Sequence, residues 1–148
     1  MSDAGPAFHR AARQATHLEL GPLTSSAGCA RDHTRAVLTS WGIDDEAVES
    51  IVLVVSELIT NAVQATVALG LTVPRPVGLT LLDEAAAIVA QVTDAAAGQP
   101  DVQAPAADIE HGRGLILVNA LSLDWGTVQL GAAGKVVWAR MPRASRTR

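Results

Sequence analysis

The chain has 148 residues, a net charge of −4 and a single cysteine, Cys29. That length suits one domain with its own core, and one cysteine excludes an intramolecular disulfide framework and a cysteine-rich metal site. With 49% hydrophobic but only 3% aromatic residues, the core has to be assembled from Ala, Val, Leu and Ile, which argues against disorder over most of the chain. The acidic balance leaves no broad basic surface for nucleic acid.

Residues 1–15 carry no periodic pattern and read as a flexible N-terminal segment. Residues 16–141 read as a single domain. Residues 142–148 form a basic tail, continuing from Arg140 through Arg143, Arg146 and Arg148, whose expected role is solubilising. No long apolar run opens the chain, and no stretch reads as long and apolar enough to span a bilayer, so the expectation is a cytoplasmic protein without export signal or membrane anchor.

Residues 17–20 alternate like a short strand and run into the turn signal Gly21-Pro22. Ser25 or Ser26 can cap a helix reaching about Trp41, with Ala30, Val37, Leu38 and Trp41 on its apolar side. Cys29 falls in this helix, where a buried or inert thiol is expected, and Gly42 ends it. Asp44 or Asp45 can cap the next helix, in which Val48, Ile51, Val52, Val55, Leu58, Ile59 and Ala62 recur at helical spacing to about Ala68. Pro74 and Pro76 break that pattern. Two antiparallel strands follow over residues 77–82 and 87–92, joined by an Asp83-Glu84 turn. Residues 95–111 are rich in Ala, Pro, Gly and acids without periodicity, a long connection of the functional or mobile kind, with residues 99–111 the expected mobile part. A helical pattern returns over residues 114–121, and final strands around 125–130 and 135–141 flank a turn at 131–134. The expected fold class is therefore α+β: a two-layer α/β sandwich whose mostly antiparallel mixed sheet is covered by helices on one face.

Three short motifs carry chemistry. Glu57 and Asn61 stand four apart, on one side of their helix and roughly opposite its main apolar stripe. A solvated face is the ordinary meaning of such a pair. The unbroken apolar run at residues 51–55 implies instead that this stretch is covered on more than one side, so that the pair lines a cleft. A carboxylate and an amide there can seat Mg²⁺ and an attacking group, because hard cations take oxygen ligands and a carboxylate can accept a proton. Asp94 closes the apolar run 88–93, where it is either an ordinary loop acid or a reader of a ligand amine or ring N–H. Gly112-Arg113-Gly114 precedes Leu115-Ile116-Leu117-Val118 and is either a flexible helix start or a helix N-terminus that holds phosphate.

Other patterns carry less. Gly131-Ala132-Ala133-Gly134-Lys135-Val136 lacks the spacing and the Ser/Thr of a P-loop and reads as a hairpin turn. The four histidines are dispersed, with none at a zinc-ligand spacing. His33, within Asp32-His33-Thr34-Arg35, lacks the helical dimerisation domain that a phospho-accepting histidine needs. No Gly-x-Ser-x-Gly or cysteine nucleophile site is present.

The order of the three motifs resembles the GHKL-type (Bergerat) nucleotide-binding fold of DNA gyrase, heat-shock chaperone ATPases, mismatch-repair ATPases and histidine kinases. More narrowly it resembles the bacterial anti-sigma factor serine/threonine kinases, of the actinobacterial type. Val54-Val55-Ser56-Glu57-Leu58-Ile59-Thr60-Asn61-Ala62-Val63 is similar to their N-box. His111-Gly112-Arg113-Gly114-Leu115-Ile116-Leu117-Val118-Asn119-Ala120-Leu121-Ser122 with Trp125-Gly126 is similar to their second glycine box. The resemblance covers residues 24–141. It implies that Asn61 holds Mg²⁺ against the phosphates of ATP, that Glu57 is the base and that Asp94 binds the adenine amino group. It further implies that Gly98, Gly112, Arg113, Gly114 and Leu115 line the nucleotide, and that the segment before Gly112 is an ATP lid. The implied partners are a sigma factor and an anti-anti-sigma (STAS-type) protein, with a possible homodimer.

The first glycine box is degenerate, since Asp94-Ala95-Ala96-Ala97-Gly98 has Ala96 at the first glycine position, and Gln64-Ala65 replaces the His or Arg that often follows the N-box. A non-catalytic interaction module of the same fold and a simple ATPase remain open as alternatives.

Overall fold

A computed structural model of the chain describes residues 12–96 and 109–144, with side chains in the third helix described from Leu115 onward. In chain order the elements are β1 (Gln14–Leu20), α1 (Ser26–Ser40), α2 (Asp45–Ala68), β2 (Val77–Asp83), β3 (Ala87–Asp94), α3 (Ile109–Leu121), β4 (Asp124–Gln129) and β5 (Lys135–Pro142), with one 3₁₀ turn at Gly131–Ala133. The strands form one sheet in the order β1-β2-β3-β5-β4. Each of its four pairings is antiparallel, so the expected mixed sheet is antiparallel throughout the described residues. The α+β sandwich is as expected.

Alternation along the central strands sorts the two faces of the sheet. Val77, Leu79 and Leu81 of β2, Ile88, Ala90 and Val92 of β3, and Ala139 and Met141 of β5 join the core built with Ala30 and Leu38 of α1, Val118 of α3 and the apolar stripe of α2. Helix α2 is the pillar of that core, packing on β2, β3 and β5 and on both other helices. By length and mean hydropathy, 1.7 over its best window, α2 is long and apolar enough to cross a membrane, which corrects the reading of the sequence. Half of that window is buried inside the domain, and this burial accounts for the apolar composition.

The helix ends follow local chemistry. Asp44 caps α2, its carboxylate accepting the Ala47 N–H at 3.2 Å, and Asp45 and Glu46 in the first turn favour the positive end of the helix dipole. At the end of α1, Ile43 N–H donates to Leu38 O and Gly42 N–H to Thr39 O, both at 3.0 Å, with Gly42 at φ 76°. This is the 6→1 and 5→2 pattern that a left-handed glycine completes. The start of α1 differs from expectation: Ser25 occupies the cap position without a side-chain hydrogen bond, while Ser26 Oγ donates to Gly21 O and accepts from Leu23 N–H, tying down the preceding turn. Cys29 is a free thiol on the exposed side of α1, not a buried one.

Both chain ends are more engaged than their composition suggests. Residues 1–11 and 145–148 lie outside the described residues, but Gln14 and Ala15, expected in the flexible segment, belong to β1. Arg140, read as part of a basic tail, is bonded to Asp124 at 3.0 Å and 3.1 Å and to Glu84 at 3.4 Å. Its guanidinium also lies 5.8 Å from the ring centroid of Trp138, on the sheet face away from the core. That indole rests on Gly126, where an added Cβ would meet the ring at 3.0 Å, so the glycine of Trp125-Gly126 permits the close approach.

Asp83 gathers both ends. Its fully buried carboxylate accepts from Ala85 N–H at 3.0 Å, the Gln14 amide at 3.1 Å, Arg13 at 3.4 Å and Arg143. Burial pushes this carboxyl up, but the Ala85 N–H, the Gln14 amide and the two guanidinium groups outweigh it and hold the group below the usual carboxylate range. The stabilisation is fully present above the unfolded value of about 3.9 and is lost as pH falls through the lowered folded value. Unfolding free energy measured against pH is expected to drop on acidification in that window. Asp83→Asn should remove this part of the pH dependence and cost about 1–3 kcal/mol at neutral pH. An unchanged acid limb in the variant would reject the clamp.

Candidate functional site

The stripe of α2 that faces the core comprises Ala47, Val48, Ile51, Val52, Val54, Val55, Leu58, Ile59, Ala62, Val63 and Thr66. At about 100° per residue, Ser56 and Glu49 fall on one margin of this stripe, and Asn61 on the other with Glu57 beyond it. Helix α1 occupies the first margin, where Arg31 donates to Ser56 Oγ at 3.0 Å and Arg35 donates to both carboxylate oxygens of Glu49 at 2.9 Å and 3.1 Å. Glu57 and Asn61 are half-buried on the side away from α1. Asn61 borders the apolar stripe and Glu57 stands about 150° from its centre, so the pair lies on the side roughly opposite the stripe, in line with the reading of the sequence. Its inference that the run before Glu57 is covered holds, because Ile51, Val52, Val54 and Val55 are buried and only Leu53 is exposed. Neither the Glu57 carboxylate nor the Asn61 amide has a side-chain partner among the described residues.

Asp94 ends β3 on the helix-covered side of the sheet and is 2% exposed. Its Oδ1 accepts two hydrogen bonds, from Ala96 N–H at 2.8 Å and from Lys135 Nζ at 3.0 Å. Lys135 is the residue opposite Asp94 in the β3–β5 ladder, and its side chain is 12% exposed. The ion pair is thus built into the sheet register. Gly134, just before it, adopts φ 115°, and a Cβ there would stand 1.9 Å from the Asp94 carbonyl oxygen. The 131–134 turn is a hairpin, as expected. Its lysine was missed as a site residue because the contact depends on β3 and β5 being neighbours, which no local pattern records.

Helix α3 starts at Ile109, so Gly112 and Gly114 lie within its opening turns and do not precede them. Leu115 is half-buried, Val118 is fully buried, and Asn119 Oδ1 accepts from Trp125 Nε1 at 3.2 Å, fastening α3 to β4. Gly98 and residues 97–108 of the expected lid lie outside the described residues. The structure thus joins Glu57 with Asn61 along α2, and Asp94 with Lys135 across β3 and β5. Both β3 and α3 pack against α2.

No curated protein matches the chain. Among solved structures the chain is similar to the crystal structure of the RsbU and RsbW domains of Rv1364c from Mycobacterium tuberculosis, with 22% sequence identity and a TM-score of 0.64. The likeness covers 87% of this chain and 32% of that one, so this chain spans about a third of the length of that structure, and the likeness is one of fold. Residues 23–141 match the model of the histidine kinase-like ATPase domain. With that match running over most of its length, and with the antiparallel sheet and helical layer described above, the chain belongs to the histidine kinase-like ATPase domain family.

Proposed function

We propose that this protein binds ATP with Mg²⁺ and acts in the cytoplasm as an anti-sigma factor and serine/threonine protein kinase. Its protein substrate is an anti-anti-sigma (STAS-type) antagonist, its other partner a sigma factor, and its working form a homodimer. The observation that carries this reading is the free margin of α2: two oxygen-bearing groups, Glu57 and Asn61, half-buried one turn apart and without partners among the described residues. The family supports nucleotide binding, and the similarity to a structure containing an RsbW domain is in keeping with sigma-factor regulation.

The donor set suits Mg²⁺. Among the described residues no group of three His, Cys, Asp or Glu forms a metal cage, whereas Mg²⁺ is commonly held by one or two protein oxygens together with substrate phosphates. When bound, Mg²⁺ neutralises charge on the phosphates, and Asn61 Oδ1 is its protein ligand. Glu57 takes the proton of the substrate hydroxyl as that oxygen attacks the γ-phosphorus. The bond from the γ-phosphorus to the bridging oxygen breaks, and ADP leaves with the electron pair. Asp94 accepts a hydrogen bond from the adenine amino group.

A second reading, a binding module without turnover, is favoured by one observation: Ala96 stands at a glycine position and its N–H is committed to Asp94 Oδ1. Titration with a non-hydrolysable ATP analogue, with and without Mg²⁺, tests the site itself. Wild type is expected to bind more tightly with Mg²⁺, and Asn61→Ala to lose that increment, by about tenfold or more, while keeping the metal-free affinity. Equal Mg²⁺ dependence in both proteins would reject the assignment of Asn61.

A further inference from the structure

We infer that Lys135 is a positioning residue for base selection, acting through Asp94; the inference rests on the proposed reading of Asp94 as the purine contact. The two described hydrogen bonds to the Asp94 carboxylate both fall on Oδ1, from Lys135 Nζ at 3.0 Å and from Ala96 N–H at 2.8 Å. Oδ2 has no partner among the described residues. The carboxylate is 2% exposed and faces the helix layer, so a lone charge there would be strongly disfavoured without its cation. Lys135 supplies that cation from a fixed place. It lies opposite Asp94 in the ladder, and the preceding Gly134 packs so closely on the Asp94 carbonyl that a Cβ there would stand 1.9 Å from its oxygen.

This arrangement has a chemical consequence. With Oδ1 held by two donors, the plane of the carboxylate is set and Oδ2 is left as an acceptor. An acceptor suits the exocyclic amine of adenine and opposes the corresponding carbonyl oxygen of guanine or hypoxanthine. Without Lys135 only the Ala96 N–H holds Oδ1, so the carboxylate plane is free to turn and Oδ2 no longer keeps its place against the base. Lys135 therefore contributes to adenine selectivity without touching the base.

The test measures dissociation constants of wild type, Lys135→Met, Lys135→Arg and Asp94→Asn/Lys135→Met for non-hydrolysable ATP, GTP and ITP analogues, with thermal melting in parallel. Lys135→Met should lower the ATP-over-GTP and ATP-over-ITP preference by about tenfold, the equivalent of about 1.4 kcal/mol. Lys135→Arg should restore most of it. The double variant, which removes the buried charge together with its partner, should melt close to wild type yet remain unselective. A lysine with only a structural role would lower melting temperature and weaken all three nucleotides alike. Wild-type adenine preference that a folded Lys135→Met retains overturns this inference alone, whereas the same preference in the double variant overturns the reading of Asp94 as the purine contact and the inference with it. Absence of nucleotide binding by wild type overturns the reading of the site and the inference with it.

Discussion

Glu57→Gln is expected to retain nucleotide and partner binding while phosphotransfer falls by roughly 10²–10⁴-fold. The exchange keeps the length of the side chain and its hydrogen-bonding capacity but removes its ability to take a proton. The half-buried position on α2 makes the substitution mild for the fold, since no described ion pair is lost with the charge. The measurement is transfer of labelled γ-phosphate to anti-anti-sigma proteins encoded in the same genome, run beside a binding assay for the same candidates. Full labelling by Glu57→Gln would remove the base role from this residue. If wild type captures a sigma factor or an antagonist but labels none, the binding module replaces the kinase.

Gly134→Ala is expected to cost about 3 kcal/mol or more, lowering the melting temperature by roughly 10 °C. The backbone at φ 115°, ψ −141° belongs to a region that glycine alone occupies readily. The clash adds to this: the new Cβ would lie 1.9 Å from the carbonyl oxygen of Asp94, 2.9 Å from its carbonyl carbon and 3.0 Å from the Cα of Ala95. These are backbone atoms at the end of the β3–β5 ladder, so relief requires the strands to separate. Gly131→Ala is the control. It has a positive φ of 64° but nothing within 4 Å of the new methyl, and should cost only about 1–2 kcal/mol. Similar melting of the two variants would show that the hairpin is not pressed against Asp94.

Helix α2 was legible almost to the residue because an acidic cap, a sustained apolar period and a proline-containing break all agree. Strands β2 and β3 were legible as apolar runs with a short turn between them; beyond the expected bounds they add Asp83, Thr93 and Asp94, and the two end residues Asp83 and Asp94 are carboxylates that the period-2 pattern gives no reason to include. Both are buried by contacts with distant parts of the chain, which a sequence window does not contain. The same applies to Arg140 and Arg143, whose charges read as a solubilising tail, and to Lys135, read only as part of a hairpin turn; all three engage acids far away along the chain. The side of α2 holding Glu57 and Asn61 was legible from helical spacing alone, and the buried Val54 extends the stripe only as far as the border of Asn61. Helix α3 was started too late because Gly112 and Gly114 are poor helix formers, and the turn ahead of them overrides that preference.

The clamp at Asp83 also settles how the domain is wired to whatever adjoins it. Arg13 leads into β1 and Arg143 follows β5, and both guanidinium groups meet the one carboxylate, so entry and exit of the polypeptide converge. They do so at the Ala87 end of β3, whereas Asp94 and Lys135 lie at its other end, about 23 Å away at some 3.3 Å per residue. A tag, fluorophore or neighbouring domain joined directly at Arg13 or Arg143 would therefore set out from the flank remote from Asp94. A short tether between the two ends would likewise permit circular permutation, with new termini opened in the Gly21-Pro22 turn and the Asp94 ladder left uncut.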